Sequence, residues 1–413
     1  MSAQEATTTL RRVTLRHHGL VAAQAEQRGH LALEECVVAD TTRGADPTPP
    51  MGVSVIDGST LALRRCVVEA VGSGNAVHCY AGTETLEDTV VRDTLGRGLG
   101  VEMGCTASAA RVTVSNAREL GAGAFAGSTL TLSDSAIVDT LGGAAQGAGA
   151  GLFARSGAHV TATRTLIARS IGYGVVAGEA DTEVSLTESA VLDTAPWREG
   201  IGNGVHVRDG ARATVTRSLV SGSQLEGVWS VGRDARVTLG DVIVRDTRSD
   251  DFGAFGVGVS AAGGGSIGGE RVAVETSRAA ALVAGELDGV GGAVVLRGVF
   301  VRGVAAARRE DGDTARVVSY GATVGAEATL DLADFVLDDA AWGFFQHAGT
   351  LHLNRGVVSG WRDGVGATSG MGVARVEGLR GVPEGAVRSN LRLPEVLLRP
   401  PPTPCALPPC EDM

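Results

Sequence analysis

The sequence predicts an all-β chain: a right-handed parallel β-helix, a solenoid of about 14 coils with three short strands each. Three observations predict it. The apolar residues alternate with period two, as at Val184, Leu186, Ala190 and Leu192 with a turn at Thr187 and Glu188 between them, and the 3.6-residue period of a helix is absent. The pattern recurs along most of the chain. The composition, with 60 Gly, 12 Pro and only 4% aromatic residues, calls for thin layers of small and β-branched side chains rather than a centre built on large rings.

The repeat is legible by alignment. TLTLSDSAIVDTLGG from Thr129, EVSLTESAVLDTAPW from Glu183, RVTLGDVIVRDTRSD from Arg236 and AVVLRGVFVRGVAAA from Ala293 match one another. Weaker copies follow each of them, beginning at His159, Ala213, Arg271 and Thr329, and further copies begin at His30, Thr60, Thr85 and Thr350. The unit is therefore about two dozen residues, with shorter and longer coils alternating. A third strand follows each loop, as near Gly151, Gly204 and Gly256, and the Gly-x-Gly ahead of it is expected to supply the positive φ of a sharp corner. A propeller blade would need about 40–45 residues in four antiparallel strands and would not split into two similar halves. Coils stacked at about 4.8 Å predict a rod of roughly 65 Å.

The helix is expected over residues 1–380, a cap over 381–397 and a Pro-rich tail over 398–413, where LRPPPTPCALPPCEDM cannot donate ladder hydrogen bonds. The net charge is −11 and the sequence contains no Lys, so all positive charge is Arg. Such a chain suits neither nucleic acid nor an anionic membrane surface. No run reaches the roughly 20 apolar residues that span a bilayer. The opening residues have no apolar signal core. The expectation is a secreted or cell-surface protein whose export signal has been removed, with a cytosolic location as the alternative.

Six Cys suggest three local pairs. Cys36 and Cys66 stand at the same place in successive repeats, Cys79 and Cys105 are about one coil apart, and Cys405 and Cys410 close a short loop in the tail. The alternative is a ladder of buried thiols. No spacing suits zinc.

The run S-x-V-x-D-T, then G-x-G-V-x-V, then G-A-x-x-T-V, resembles the β-helix repeats of the pectin-lyase-like superfamily over about residues 6–380. The resemblance implies the architecture and leaves the activity open, because that superfamily spans lyases, hydrolases, epimerases, adhesins and tailspikes. The polygalacturonase-like set of N-T-D, D-D, G-H-G and R-I-K is represented only by Asp250-Asp251 and Asp338-Asp339. The epimerase-type Tyr-Gly-Phe-Asp-Pro-His run is approached only by Gly172-Tyr173-Gly174-Val175. No motif singles out a pectate-lyase-like set of Ca²⁺-binding Asp with a catalytic Arg.

Candidate binding residues come from the loops after Asp40-Thr41, Asp139-Thr140, Asp193-Thr194 and Asp246-Thr247, which recur at alternate coils and should project from one edge. They are Trp197, Arg198 and Glu199; Asp250, Asp251 and Phe252; and Arg308, Arg309, Glu310, Asp311 and Asp313. Carboxylates, guanidiniums and an aromatic on one edge suit a sugar cleft. The carboxylates could also hold Ca²⁺, and paired acids could cleave a glycosidic bond. No cofactor or metal is otherwise expected. Asp139, Asp193 and Asp246 are expected to cap their turns by side-chain bonds to backbone. His78 and His206 are expected to be structural, and Trp197, Trp229, Trp342 and Trp361 are not expected to form a stacking platform.

The sequence thus supports a non-catalytic surface scaffold, adhesin-like, that recognises polysaccharide along the long-loop edge. The alternative is a polysaccharide-active lyase, hydrolase or epimerase using the same edge.

Overall fold

The computed structural model describes residues 2–42, 48–143, 148–197, 201–249, 256–305, 319–361, 364–368 and 372–378. The expected cap and tail, with Cys405 and Cys410, lie outside the described residues. The chain divides into two compact units, the first holding residues 1–171 and 182–184, the second residues 172–181 and 185–394. Among the described residues none is helical, and no helix is long and apolar enough to cross a membrane.

Each unit is a parallel β-helix. In the first, one strand per coil builds a first sheet: Val21–Glu26, Met51–Ile56, Asn75–Tyr80, Arg97–Glu102, Leu120–Phe125 and Gly149–Arg155 pair in that order, all parallel. Each coil then turns into two strands of a second sheet, for example His30–Glu34 followed by Val37–Thr41. The register advances by 23 residues from Thr60 to Thr83, Thr106 and Thr129, and by 30 from Thr129 to His159. In the second unit the first sheet runs Gly172–Gly178, Asn203–Arg208, Glu226–Val231, Val257–Ala262, Ala280–Ala284, Tyr320–Val324 and Trp342–Gln346. Short and long coils alternate where loops enter this sheet.

Like residues stack in files because each coil hydrogen-bonds to the next in register. Ala23, Val53, Val77, Leu99, Ala122 and Leu152 form one buried file in the first unit, and Ala213, Val237, Ile267, Val294, Leu330 and Leu351 form another in the second. Burying each Val or Leu contributes roughly 1.5–3 kcal/mol, so a core of small side chains suffices when it is repeated.

The corners differ from expectation in two ways. Gly256 has the expected positive φ of 92°, but Gly204 is there for room: a Cβ would stand 2.5 Å from Val220 and 2.6 Å from the Gly227 carbonyl. The corner aspartates do not cap their own turns. Asp139, Asp193 and Asp246 are themselves left-handed, with φ of 57°, 52° and 54°, a conformation Asp tolerates. Asp139 receives the Arg169 guanidinium at 2.6 and 2.8 Å, and Asp246 the Thr276 hydroxyl at 2.6 Å. The threonine after each aspartate, as in Thr140 and Thr247, turns into the core.

The corner between the two strands of the second sheet is also left-handed, and its residues alternate in charge: Arg12, Glu35, Arg65, Asp88, Arg111, Asp134 and Arg164 in the first unit, with φ between 47° and 55°. The strain is offset because the corner N–H reaches a carbonyl of the adjoining coil, as from Glu35 to Arg64 at 2.9 Å. The side chains pair along the ladder, Arg65 with Glu35 at 2.8 Å and Arg164 with Asp134 at 2.6 Å. The second unit repeats this with Glu188 and Arg217, Asp241 and Arg271, and Asp334 and Arg355.

The expected Cys36–Cys66 pair is not formed; both are buried free thiols. They occupy an inward file that continues as Thr89, Ser135 and Thr165. Val112 stands in this file between Thr89 and Ser135 and is apolar, but each of these polar side chains donates to the carbonyl two residues earlier: Thr89 to Glu87 at 2.9 Å, Ser135 to Ser133 at 2.8 Å, and likewise Cys36 to Glu34 and Cys66 to Arg64, both at 3.3 Å. The thiols do the work of hydroxyls, and burial pushes the Cys66 thiol up to about 11. Cys79 and Cys105 are joined by a disulfide, with Cα atoms 6.0 Å apart.

Candidate functional site

In the chain, the long loops precede strands of the first sheet. Of the loop candidates only Trp197 is described: it is half-buried and its N–H donates to the Ile201 carbonyl at 2.7 Å, just before the strand Asn203–Arg208. Arg198, Glu199, Asp250, Asp251, Phe252, Arg308, Arg309, Glu310, Asp311 and Asp313 lie outside the described residues.

On the outer face of the second unit's first sheet, four successive coils bring together Tyr173, His206 and Trp229, which the sequence did not mark as a site, with Asn203 and Glu226, which it did not single out. His206 pairs across the sheet with Val176 on one side and Trp229 on the other, while Val205 and Val207 point inward. Tyr173 stands opposite Asn203, and Trp229 opposite Ser260. The His206 ring lies 5.1 Å from the Tyr173 ring, edge to face, and 4.6 Å from Trp229. Asn203 Nδ2 is 3.4 Å from His206 Nδ1. These separations are those of favourable aromatic pairs. Trp229 thus packs with His206 and Tyr173, in tilted and edge-to-face contacts.

The electrostatics are unusual for a solvent-facing sheet. Burial, helped by Arg208, pushes the His206 imidazole down to about 3, so it is neutral at physiological pH. Burial pushes the Glu226 carboxyl up to about 8, against the opposing effect of the Ser260 hydroxyl, so it holds its proton. Burial raises the Tyr173 phenol, opposed by Arg208. Asn203 Oδ1, His206 Nε2 and Glu226 Oε2 are buried yet have no hydrogen-bond partner among the described residues. Unmet polar atoms cost free energy; here three share two neighbouring strands of one outer face.

A cavity of about 440 Å³ adjoins this cluster. Its lining includes His206, Arg208, Val231, Arg233, Leu287 and Val290. Leu287 and Val290 belong to a small antiparallel hairpin, Glu286–Leu287 with Val290–Gly291. The hairpin is anchored by the N–H groups of Gly263 and Gly264, which donate to the Val290 and Gly291 carbonyls at 3.1 Å. The volume falls within the range of ligand sites. Among the described residues no group of three or more His, Cys, Asp or Glu is arranged to hold a metal ion.

A signal for the site existed in the sequence. Asn203-Gly204-Val205-His206 repeats Asn75-Ala76-Val77-His78, and both fall in the third strand of a coil.

No protein-family profile matches the chain, and no curated protein matches it. Solved structures similar to it include the mannuronan C-5 epimerase AlgE6 A-module of Azotobacter vinelandii, at 13% identity over 86% of this chain and 91% of that one, with a TM-score of 0.37. The periplasmic alginate epimerase AlgG is similar at 9% identity over 89% of this chain and 79% of that one, with a TM-score of 0.34. The catalytic domain of a GH87 α-1,3-glucanase is similar at 9% identity over 92% and 64%, with a TM-score of 0.24. Likenesses of this size transfer no site residue.

Proposed function

We propose that the second unit binds a polysaccharide across the outer face of its first sheet, centred on Tyr173, Asn203, His206, Glu226 and Trp229. The observation that supports this reading is the set of three buried polar atoms unmatched among the described residues, Asn203 Oδ1, His206 Nε2 and Glu226 Oε2, beside tilted and edge-to-face aromatic rings and an open cavity. A pyranose ring offers an apolar C–H face to an aromatic ring and hydroxyls that both donate and accept. Neutral His, Asn and a protonated carboxyl meet those hydroxyls without the desolvation cost of a charge. A saccharide partner outside the cell is consistent with the Cys79–Cys105 disulfide.

The test is a glycan array and a pull-down with insoluble matrix polysaccharide. Binding is expected, and Trp229→Ala or Asn203→Ala should weaken it at least about tenfold, the scale of one lost stacking or buried hydrogen-bond contact. Absence of binding above background, or binding untouched by both substitutions, removes the reading.

One observation favours a second reading, that the site also acts on the chain it binds. A carboxyl that releases its proton near pH 8 is suited to general acid work. An assay for new reducing ends or for unsaturated-uronate absorbance decides it: activity lost in Glu226→Gln supports catalysis, and no product with any bound polysaccharide limits the site to binding.

A further inference from the structure

The first unit carries the same Asn-x-Val-His strand at the corresponding place in its own first sheet. Asn75 and His78 are both buried on the outer face of the strand Asn75–Tyr80. No other described strand of the two first sheets has this pair.

The surroundings make a site of them. His78 Nδ1 is 3.4 Å from the Ser54 hydroxyl of the preceding coil, and the rings of His78 and Tyr80 are 6.2 Å apart. In the two following coils the positions in line with His78 are Gly100 and Gly123. With no side chains there, the outer face sinks. The Asn75 amide lies over Gly100, where a Cβ would stand 2.7 Å from it, and the Phe125 ring lies over Gly123, where a Cβ would stand 2.8 Å from it. Phe153 follows Gly123 in the file, and its ring is 5.6 Å from Phe125, tilted by 32°.

A cavity of about 220 Å³ opens beside these rings, lined by Arg97, Glu119, Phe125, Phe153 and Arg155 among others. The Arg97 guanidinium lies 4.8 Å above the Phe125 ring. Glu102 holds it at 2.8 Å and Glu119 stands at 3.9 Å, so its charge is already met. In both units, then, an Asn and a His on one strand are followed, in the next coils, by an aromatic surface, a carboxyl and an open cavity.

We infer that the Asn75–His78 strand with Phe125 and Phe153 forms a second saccharide-binding site in the first unit, taking a pyranose residue, so that one chain engages polysaccharide at two places. This rests on the reading of the second unit as saccharide-binding. Two weak sites on one chain strengthen attachment to a repeating polymer without new contacts.

The test is calorimetric titration of the full chain with hexasaccharides of glucan, mannan, galacturonan and mannuronan. The best-bound hexasaccharide should fit two sites per chain. Asn203→Ala with His206→Ala should leave one. Asn75→Ala with His78→Ala should also leave one, with affinity at the removed site lowered at least tenfold. Gly100→Ala provides a variant that leaves the core file alone: its methyl displaces the Asn75 amide, and the same site should be lost while the melting curve is kept. A single site, abolished by the Asn203 and His206 changes and untouched by Asn75→Ala or Gly100→Ala, overturns this inference while leaving the second unit's role intact. No binding of any hexasaccharide to the wild-type chain overturns both.

Discussion

Glu84 in the first unit and Glu226 in the second are both pushed up to about 8 by burial, and they mean opposite things. Glu84 is 1% exposed and points into the core. It occupies an interior file between Leu61 and Ala107, with Leu31 and Leu130 beyond them. Its Oε2 has no partner among the described residues, and burial is the whole cause of its shift. Glu226 lies on an outer face beside the Ser260 hydroxyl, three residues before Trp229 on the same strand. A raised carboxyl therefore records desolvation and nothing more; what surrounds it decides whether it costs stability or serves a ligand.

The largest consequence is a pH dependence of folding. Glu84 binds its proton up to about pH 8 when folded and only to about 4.5 when unfolded. Between those values the native state holds more protons than the unfolded state, so stability falls as pH rises through that window. Below it Glu84 is neutral in both states and costs nothing by this route. Above it the full cost applies, on the order of 4–5 kcal/mol at about 1.4 kcal/mol per pH unit. Glu84→Gln imitates the protonated acid. It should match the wild type in urea unfolding at pH 4.5 and exceed it by several kcal/mol at pH 9. Parallel pH curves for the two proteins would mean that the core admits water to Glu84.

The next effect is that of the Cys79–Cys105 disulfide, which closes a 26-residue separation around Glu84. Constraining a loop of that length contributes roughly 3 kcal/mol. The coil that buries a carboxyl is thus the one that is cross-linked. Cys79→Ala with Cys105→Ala should lower the unfolding midpoint at both pH values. Adding Glu84→Gln should restore much of the loss at pH 9 and little at pH 4.5. An unchanged midpoint on reduction would show that the bond offsets nothing.

The interior of each unit was legible in the sequence because period two assigns each strand residue to a face: Val205 and Val207 inward, His206 outward. Asn203 was not. Strict alternation sends it inward with Val205, but the ladder pairs Tyr173 with Asn203 and Val175 with Val205 and skips Gly174 and Gly204. That irregularity, made possible by a glycine that could not carry a Cβ, puts Asn203 beside His206. The cysteines misled for a related reason. Cys36 above Cys66 was correctly read as a stack, but the hydroxyl-like role of the position shows only when Thr89 and Ser135 are seen making the same bond. The charged loop tips drew attention by composition, while the outer face they precede is marked by two copies of one short strand motif.

On the functional side of the comparison, Glu226 predicts a smaller effect and a different one. If its proton is donated to a sugar oxygen, binding by the second unit persists below about pH 8 and falls above it as the carboxyl ionises. One pH unit above that midpoint about a tenth of the acid remains, so affinity should drop about tenfold by pH 9. Glu226→Gln should keep binding and flatten the profile. At the Asn75–His78 site Glu102 is paired with Arg97, and Arg97 opposes the burial that raises Glu119, so the step there should be shallower. A wild-type profile that stays flat from pH 6 to 9, measured by calorimetric titration with polysaccharide, would separate Glu226 from binding altogether.

The smallest effect concerns charges that are not buried. Arg164 meets Asp134 through two parallel bonds, at 2.6 and 2.8 Å, yet both side chains are nearly half exposed. Exposed pairs contribute well under about 1 kcal/mol each and fade with salt. Arg164→Ala should therefore shift the unfolding midpoint slightly at low ionic strength and not at all in 1 M salt, whereas the Glu84 effect should survive salt because its cause is desolvation. The ladder's value lies in its order. Arg111, Asp134 and Arg164 alternate in sign, so a slip by one coil sets like charges against each other at every corner at once, and the repeat that makes a solenoid easy to build also makes such slips easy. Arg164→Glu with Asp134→Arg keeps the local pair but opposes Arg111 and should refold more slowly than Arg164→Ala. Refolding as fast as the wild type would leave the ladder as surface charge without a role in register.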